Sequence, residues 1–262
     1  MRHILSPAQL PLLRRFSWSR VLLAFDFDGT LSPIVRDPAE ARLRRRTRTL
    51  LGRLARLYPC AVISGRSRPD VVHRLAAIPL QAVSGNHGLE PSHAYERYER
   101  LVRSWSVTLR PRLARVQGVV LEDKRYSLAI HYRLARRPRE AMARIRDAIA
   151  PLSRVRVIGG KTVLNLIPEG APHKGTALEA IRAQLGCDTA IYVGDDDTDE
   201  DVFLMAAHQF FLGVRVGRNR RSLAGYYLEN QREVDALLEV LLSFRGQATA
   251  RGAGSPCAAS SR

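Results

Sequence analysis

Short apolar segments, each ending in a polar cluster, constrain this chain more than any other feature of its sequence. Residues 21–25 are apolar and precede the polar segment 26–30, and the apolar residues 60–63 precede 64–66. Apolar runs of this length that stop at polar loops are typical of strands buried on both faces of a sheet. Helical patterns separate these runs, one of them over about 38–57. The sequence therefore predicts an α/β fold, a parallel sheet with helices on both faces.

A second pattern replaces the first between residues 89 and 167. The sequence there predicts helices and hairpins in turn, at 95–116, 119–122, 127–132, 138–149, 155–158 and 162–167. This order is typical of an α+β unit inserted into the first domain. We therefore predict a catalytic core of residues 1–88 and 168–245 and an inserted unit of residues 89–167. Residues 246–262 are rich in Ala, Gly, Ser and Arg, and we expect a disordered tail there.

The polar clusters are predicted to meet at one edge of the parallel sheet. Ligands bind to such sheets in the crevice beyond the carboxyl ends of the strands. Residues 26–30 and 64–66 lie at two such ends, and the acidic segment 194–201 follows a third predicted strand at 190–193. Lys174 begins the helix that precedes this third strand. Groups from distant parts of the chain are therefore expected to form one site.

The pair Asp26 and Asp28 indicates the chemistry of that site. Two carboxylates one residue apart at the end of a buried strand repel each other unless a cation lies between them. Mg²⁺ accepts carboxylate oxygens and takes water and substrate phosphate as its other ligands. A carboxylate held against it can attack phosphorus, and a neighbouring carboxyl can exchange protons with the leaving oxygen and with water. The alternative is an ordinary turn built from Asp and Gly.

These motifs resemble those of the haloacid dehalogenase (HAD) superfamily, and within it the trehalose-6-phosphate phosphatase family. Residues 26–30 are similar to the first superfamily motif, Ser64 to the second, Lys174 to the third and residues 194–201 to the fourth. The narrower family is indicated by that long acidic segment, by Ile63-Ser64-Gly65-Arg66 and by Gly85-Asn86-His87-Gly88-x-Glu90. The resemblance extends from about residue 21 to residue 227. It implies a Rossmann-like core with an α/β cap, and a Mg²⁺-dependent hydrolase that converts trehalose 6-phosphate to trehalose and phosphate in trehalose biosynthesis.

The resemblance also implies which residues perform the reaction and hold the metal. Asp26 would be the nucleophile that forms an aspartyl phosphate, and Asp28 would be the general acid and base. The Mg²⁺ ligands would be Asp26, the backbone carbonyl of Asp28, and Asp195. Asp199 would support these ligands, with Asp196 beside them.

A second group of matched residues is expected to bind the substrate. Ser64, Gly65 and Lys174 would bind the transferring phosphoryl group, and Lys174 would also offset the charge of the crowded carboxylates and assist catalysis. The expected contacts to the sugar are Arg66, Asn86, His87, Glu122, Lys124, Lys161 and Asn165. His131 and Arg133 lie on the same predicted hairpin as Lys124, where each is equally consistent with a solvated strand residue.

Asn165 departs from the family pattern. The family usually has a glutamate at this position, which holds the sugar, whereas asparagine brings no charge. A site that recognises hydroxyl groups can discriminate strongly through a single unpaired group. The change leaves the catalytic residues as they are and leaves another glycosyl or sugar phosphate open as the substrate.

The formal net charge of +17 raises a nucleic-acid-binding protein as a remote alternative. Only 6% of the residues are aromatic, which disfavours a surface for base stacking. The basic residues are arginines throughout the chain except for Lys124, Lys161 and Lys174, which all fall in the matched motifs. We therefore interpret the charge as a general preference for arginine and expect no nucleic-acid partner.

The remaining features bear on the cellular setting and the state of the enzyme. The three cysteines, Cys60, Cys187 and Cys257, have no paired spacing, which favours a reducing compartment. No leader-like or membrane-spanning apolar segment is recognisable, so we expect a cytoplasmic monomer without a membrane partner. A catalytically inactive regulatory relative is the last alternative, and the complete set of catalytic residues disfavours it.

Overall fold

Two β-sheets organise the chain. A computed structural model describes residues 1–90, 96–160, 162–205 and 210–252. In chain order the strands are β1 (Arg2–His3), β2 (Val21–Phe25), β3 (Cys60–Ile63), β4 (Ala82–Ser84), β5 (Val120–Asp123), β6 (Leu128–His131), β7 (Val155–Gly160), β8 (Val163–Pro168), β9 (Thr189–Gly194), β10 (Phe211–Val216) and β11 (Tyr226–Leu228). The α-helices are α1 (Leu10–Trp18), α2 (Arg45–Leu54), α3 (Arg68–Arg74), α4 (Glu96–Leu113), α5 (Pro138–Ile149), α6 (Lys174–Gln184), α7 (Glu200–Met205) and α8 (Glu233–Gly252).

The larger sheet is parallel throughout and has the order β1-β11-β10-β9-β2-β3-β4. Strand β2 lies between β9 and β3 and is buried along its whole length. Because parallel strands end at the same edge, the polar segments after β2, β3, β4 and β9 are brought together there. The predicted α/β architecture is confirmed.

Alternating side chains of β2 supply two apolar cores. Leu23 and Phe25 belong to the core shared with helices α1, α2 and α8. Leu22 and Ala24 point to the other face and belong to the core shared with α6 and α7. Burial of each large side chain contributes about 1.5–3 kcal/mol, so β2 is anchored from both faces. The end of β2, which is followed by Asp26, is consequently held in a fixed position.

The smaller sheet is antiparallel and has the order β5-β6-β8-β7. One of its faces packs on α4 and α5 through a separate apolar cluster that includes Trp105, Leu128, Ile130 and Ile145. This is the predicted α+β insertion, which we call the cap. Its limits at residues 89 and 167 stay predictions.

Several elements differ from the sequence-based expectation. The helix predicted over about 38–57 is wrong in its first part, because α2 begins only at Arg45 after a short 3₁₀ turn at Pro38–Glu40. The carbonyl of Ala41 accepts instead from Arg74, 2.5 Å away. Helix α8 continues to Gly252, so the start of the predicted tail is helical, and residues 253–262 lie outside the described residues.

None of the described helices is long and apolar enough to cross a lipid bilayer.

Candidate active site

Asp26 follows β2 directly and is 5% exposed. Its backbone N–H donates to the carbonyl of Val193 on the neighbouring strand, 2.9 Å away. The chain then turns through Gly29, whose φ of 80° favours glycine. A methyl group at Gly29 would overlap the Asp195 carboxylate. The tight turn therefore lets the carboxylate after β9 approach the backbone next to Asp26.

Lys174, the first residue of α6, is 1% exposed and lies between two aspartates. Its Nζ is 3.0 Å from Asp26 Oδ1 and 2.7 Å from Asp199 Oδ1. Burial alone would lower the pKa of Lys174, but the charges of Asp199 and Asp26 raise it above its ordinary value. The amino group of Lys174 therefore stays protonated. Burial raises the pKa of Asp26 well above its ordinary value, although Lys174 lowers it.

Asp199 is fully buried and hydrogen-bonded through both of its oxygens. Oδ1 accepts from Lys174 and from the Tyr192 hydroxyl at 2.6 Å, and Oδ2 accepts from the Asp196 backbone N–H at 2.9 Å. The sequence analysis missed Tyr192, although a polar hydroxyl within the buried strand β9 was the available signal. With its oxygens engaged in this way, Asp199 fits the supporting position that was predicted for it.

Three buried carboxylates form a group that fits a metal ion. One oxygen each of Asp26, Asp195 and Asp199 lies within 4.8 Å of the others. Since Asp199 is already hydrogen-bonded through both oxygens, Asp26 and Asp195 are the carboxylates of this group that fit as direct ligands. Lys174 balances only part of this buried negative charge, and a set made of carboxylate oxygens suits a hard divalent cation. Asp196, predicted to assist, adds a further carboxyl beside them, and burial raises its pKa.

The predicted phosphate-binding residues lie at the adjoining strand end. Ser64 follows β3 and is buried, and its Oγ accepts from the backbone N–H of Arg66 at 3.2 Å. Gly65 lies directly against the imidazole of His87, because a Cβ added at Gly65 would lie 2.5 Å from His87 Cε1. Ser64, Gly65 and Lys174 thus meet at the same edge of the sheet as Asp26.

Arg66 was predicted to contact the sugar, but its guanidinium is engaged by protein groups. Nε and Nη2 donate to the two oxygens of Asp28 at 2.6 and 2.8 Å. Nη1 donates to Asp70 at 2.9 Å, and Nη2 also donates to the carbonyl of Pro38. Asp70 is fixed in turn by Arg74. The structure therefore places Arg66 as the group that holds Asp28.

Asn86 and His87 link the core to the cap, and both have left-handed backbone conformations. The Asn86 amide donates to the carbonyl of Lys124 at 2.7 Å and accepts from the Ser127 hydroxyl at 2.9 Å. Asn86 thereby fixes the turn between β5 and β6.

His87 is buried beside Asn165. Burial, followed by the charges of Lys124 and Lys174, lowers the pKa of its imidazole well below the ordinary value. Its ring is consequently neutral at physiological pH.

The cap residues predicted to bind sugar lie across from the carboxylates. Lys124 Nζ donates to the Gly65 carbonyl at 3.0 Å, so the cap contacts the loop after β3. Glu122 is half-exposed, and Asn165 on β8 is 6% exposed. Arg133 donates to two carbonyls of the core loop, those of Val35 and Arg36. Lys161 lies outside the described residues.

A cavity of about 720 Å³ lies between the two sheets. Its catalytic side includes Asp26, Asp28, Lys174 and Asp195, and its cap side includes Glu122 and Asn165. Apolar side chains such as Val120 and Val163 complete the wall. A cavity of this volume suits a small-molecule ligand.

A parallel sheet with this catalytic edge, covered by an inserted cap, is the fold of the HAD-type phosphatases. The structure is similar to the C-terminal domain of trehalose-6-phosphate phosphatase from C. albicans, with a TM-score of 0.68 and 23% identity over 90% of this chain and 96% of that one. It is also similar to the Aspergillus fumigatus trehalose-6-phosphate phosphatase, with a TM-score of 0.61 and 26% identity over 93% and 99% of the two chains. The sequence profile of the trehalose-phosphatase family matches residues 24–229. The chain therefore belongs to the trehalose-phosphatase family.

Two curated relatives illustrate how much of the chain is shared. The trehalose-phosphate phosphatase of Mycolicibacterium paratuberculosis is 38% identical over 195 residues, which cover 68% of this chain and 49% of that protein. Trehalose 6-phosphate phosphatase RA3 of Zea mays is 27% identical over 266 residues, which cover 90% and 73% of the two chains. The chain thus spans about half the length of the mycobacterial relatives that it matches.

Proposed function

We propose that the chain hydrolyses trehalose 6-phosphate to trehalose and phosphate, with Mg²⁺ as cofactor. The observation that carries this proposal is the buried pair of Asp26 and Lys174, which lines one cavity together with polar residues of the cap. Family membership supports the reaction, and the names of the relatives support the substrate. In this proposal the core performs the chemistry and the cap recognises the sugar.

The reaction follows from the placement of two aspartates. Asp26 attacks phosphorus, the bond from phosphorus to the sugar oxygen breaks, and Asp28 protonates that oxygen. Water then attacks the aspartyl phosphate as Asp28 takes its proton, which releases phosphate and restores Asp26. Both oxygens of Asp28 accept from Arg66, so one of these bonds opens when Asp28 turns to the leaving oxygen.

The surrounding groups position the phosphoryl group and offset its charge. Ser64 and the backbone around Gly65 would donate to phosphoryl oxygens, and the buried Lys174 would supply a fixed positive charge. Mg²⁺ held by Asp26, the Asp28 carbonyl and Asp195 would neutralise the charge that develops on the phosphoryl oxygens. Phosphoryl transfer depends mainly on such positioning and charge neutralisation.

We also propose that this enzyme is a cytoplasmic monomer without a nucleic-acid partner. The arginine-rich segment 42–48, which continues into α2, supports the last point, because several of its side chains have partners within the chain. Arg44 pairs with Asp235, and Arg46 pairs with Glu239. Arg48 donates to the carbonyl of Arg74, the last residue of α3, and to that of Ala76 just beyond it. These contacts favour a structural use of the arginines over a surface for phosphate backbones.

A second candidate is a phosphatase of the same type that acts on another glycosyl phosphate. Asn165 favours it, because this buried cap residue offers an amide where the family usually has a carboxylate. The catalytic residues are the same in both candidates, so only the sugar differs.

The test is phosphate release in the presence of Mg²⁺ from trehalose 6-phosphate, sucrose 6-phosphate, glucose 6-phosphate and an aryl phosphate. Rapid release from trehalose 6-phosphate that disappears in Asp26→Asn and in EDTA is the expected result. Release from another sugar phosphate alone would favour the second candidate. Asp26→Asn activity equal to that of the wild type would contradict the mechanism.

A further inference from the structure

His131 lies on the cavity face of the cap sheet and has no role in the reaction described above. Strand register places Leu121, Ile130 and Leu164 opposite one another, with their side chains in or against the cap core. The neighbouring row, Val120, His131 and Val163, therefore faces the other way, toward the cavity. Since side chains alternate along a strand, Glu122 and Asn165 share that face.

His131 lies between the two valines of its row and reaches Glu122 on the adjacent strand. The distance from His131 Nε2 to Glu122 Oε2 is 2.8 Å. Lys124 Nζ is 3.8 Å from the same oxygen. Burial of Glu122 opposes ionisation, but the hydrogen bond from His131 and the charge of Lys124 lower the pKa of its carboxyl. Glu122 Oε2 thus interacts with both His131 and Lys124.

The other carboxylate oxygen is left for a ligand. Among the described residues, no hydrogen bond is made to Glu122 Oε1 or to His131 Nδ1. When His131 donates through Nε2, its Nδ1 is an acceptor. The pair therefore retains two acceptor atoms, Glu122 Oε1 and His131 Nδ1, and sugar hydroxyl groups can donate to such atoms.

We propose that His131 is a positioning residue, which holds Glu122 in the orientation that accepts a sugar hydroxyl and so helps to set substrate specificity. This inference rests on the proposed function, because it concerns the sugar half of a sugar phosphate. A half-exposed glutamate loses rotamer freedom when it binds a ligand, and a partner that fixes it beforehand removes that cost. Asn165, which is neutral, adds no second carboxylate to this face.

A purely structural role for the pair predicts a different result. The side chains of His131 and Glu122 are 32% and 48% exposed, and ion pairs at such positions contribute little to stability. Loss of His131 should therefore leave the melting temperature nearly unchanged. Its effect should appear in the KM for the sugar phosphate.

The experiment is a double-mutant cycle with His131→Ala, Glu122→Ala and the double variant, assayed on trehalose 6-phosphate and on an aryl phosphate. We expect His131→Ala to raise the KM for trehalose 6-phosphate about tenfold, a loss at least several times larger than the loss on the aryl phosphate. In the Glu122→Ala background the same change should have almost no further effect. His131→Gln, which can still donate to Glu122, should recover most of the loss.

Arg144→Ala is the matched control, because Arg144 is an exposed cap residue on α5, on the far side of the sheet. Additive effects of His131→Ala and Glu122→Ala, or equal losses on both substrates, would overturn the inference and leave the proposed function intact. A wild-type enzyme that releases phosphate from the aryl phosphate but from no sugar phosphate would overturn both.

Discussion

The catalytic edge of the core sheet and the cavity face of the cap hold their polar groups in different ways. At the core edge, Asp26, Lys174 and Asp199 are buried and bonded to one another. On the cap, Glu122 and His131 are partly exposed and form one contact with each other. Groups that stabilise a transition state need fixed positions, whereas groups that recognise a sugar can complete their hydrogen bonds with the ligand. Substitutions at the core edge should therefore reduce activity on all phosphate substrates, whereas substitutions on the cap should reduce activity mainly on the sugar phosphate.

Lys174→Met should give the largest effect, because it removes the only cation that Asp26 and Asp199 contact among the described residues. Breaking a buried ion pair costs about 3–5 kcal/mol, since it leaves charges buried without a partner. We expect a lower melting temperature and a loss of kcat/KM of about a thousandfold or more on sugar and aryl phosphates alike. Calorimetry and phosphate release on the same sample measure both. A variant as stable and active as the wild type would show that the core edge does not depend on its buried ion pairs.

Arg66→Met should come next, because it releases Asp28 from the guanidinium that holds it. A positioned general acid contributes about 10²–10⁴-fold, so we expect kcat for the sugar phosphate to fall about a hundredfold. The KM should change much less. Arg68→Met is the control, since Arg68 is a neighbouring arginine that donates to the Val83 carbonyl and does not contact Asp28. A large rise in KM with an unchanged kcat would support the sugar-binding role that the sequence predicted for Arg66.

Sequence reasoning located the catalytic edge because local apolar runs determine where β2, β3 and β9 end. It could not supply the contacts of Arg66 and Asn86 within the protein, because their partners are brought to them only by the tertiary fold. Asp70 comes from α3, and the Lys124 carbonyl comes from the cap.

Strand β10 escaped the sequence analysis for a related reason. It carries a charged residue, Arg215, which is buried and paired with Glu200 at 2.7 Å. A charge within a short apolar run obscures the pattern of a buried strand, and its neutralising partner lies in another element. Ion pairs of this kind form only in the tertiary structure, so the local sequence does not predict them.

Asn165→Ala should have a smaller effect that is confined to the sugar. Asn165 is a buried cap residue at the cavity wall, and its loss removes an amide that can bond to the sugar. We expect the KM for the preferred sugar phosphate to rise about five- to tenfold, since a hydrogen bond contributes about 0.5–1.5 kcal/mol. Parallel assays on an aryl phosphate are the internal control. Equal losses on both substrates would place Asn165 with the catalytic groups instead of the cap.

Added salt should have the smallest effect. The net charge of +17 should speed the encounter with an anionic substrate, and ions screen this attraction. We expect kcat/KM to fall about two- to threefold between about 20 and about 200 mM salt, with kcat nearly constant. A flat kcat/KM over this range would show that the basic surface does not attract the substrate.

Trapping the intermediate tests most directly whether Asp26 becomes phosphorylated while Asp28 transfers the protons. In Asp28→Asn, an aryl phosphate should still phosphorylate the enzyme, because its leaving group needs no proton, whereas the hydrolytic water lacks its base. After an acid quench, mass spectrometry should find the phosphoryl group on the peptide that contains Asp26, and only when Mg²⁺ was present. Turnover without a trapped phosphoryl group, or a phosphoryl group on another residue, would contradict the account.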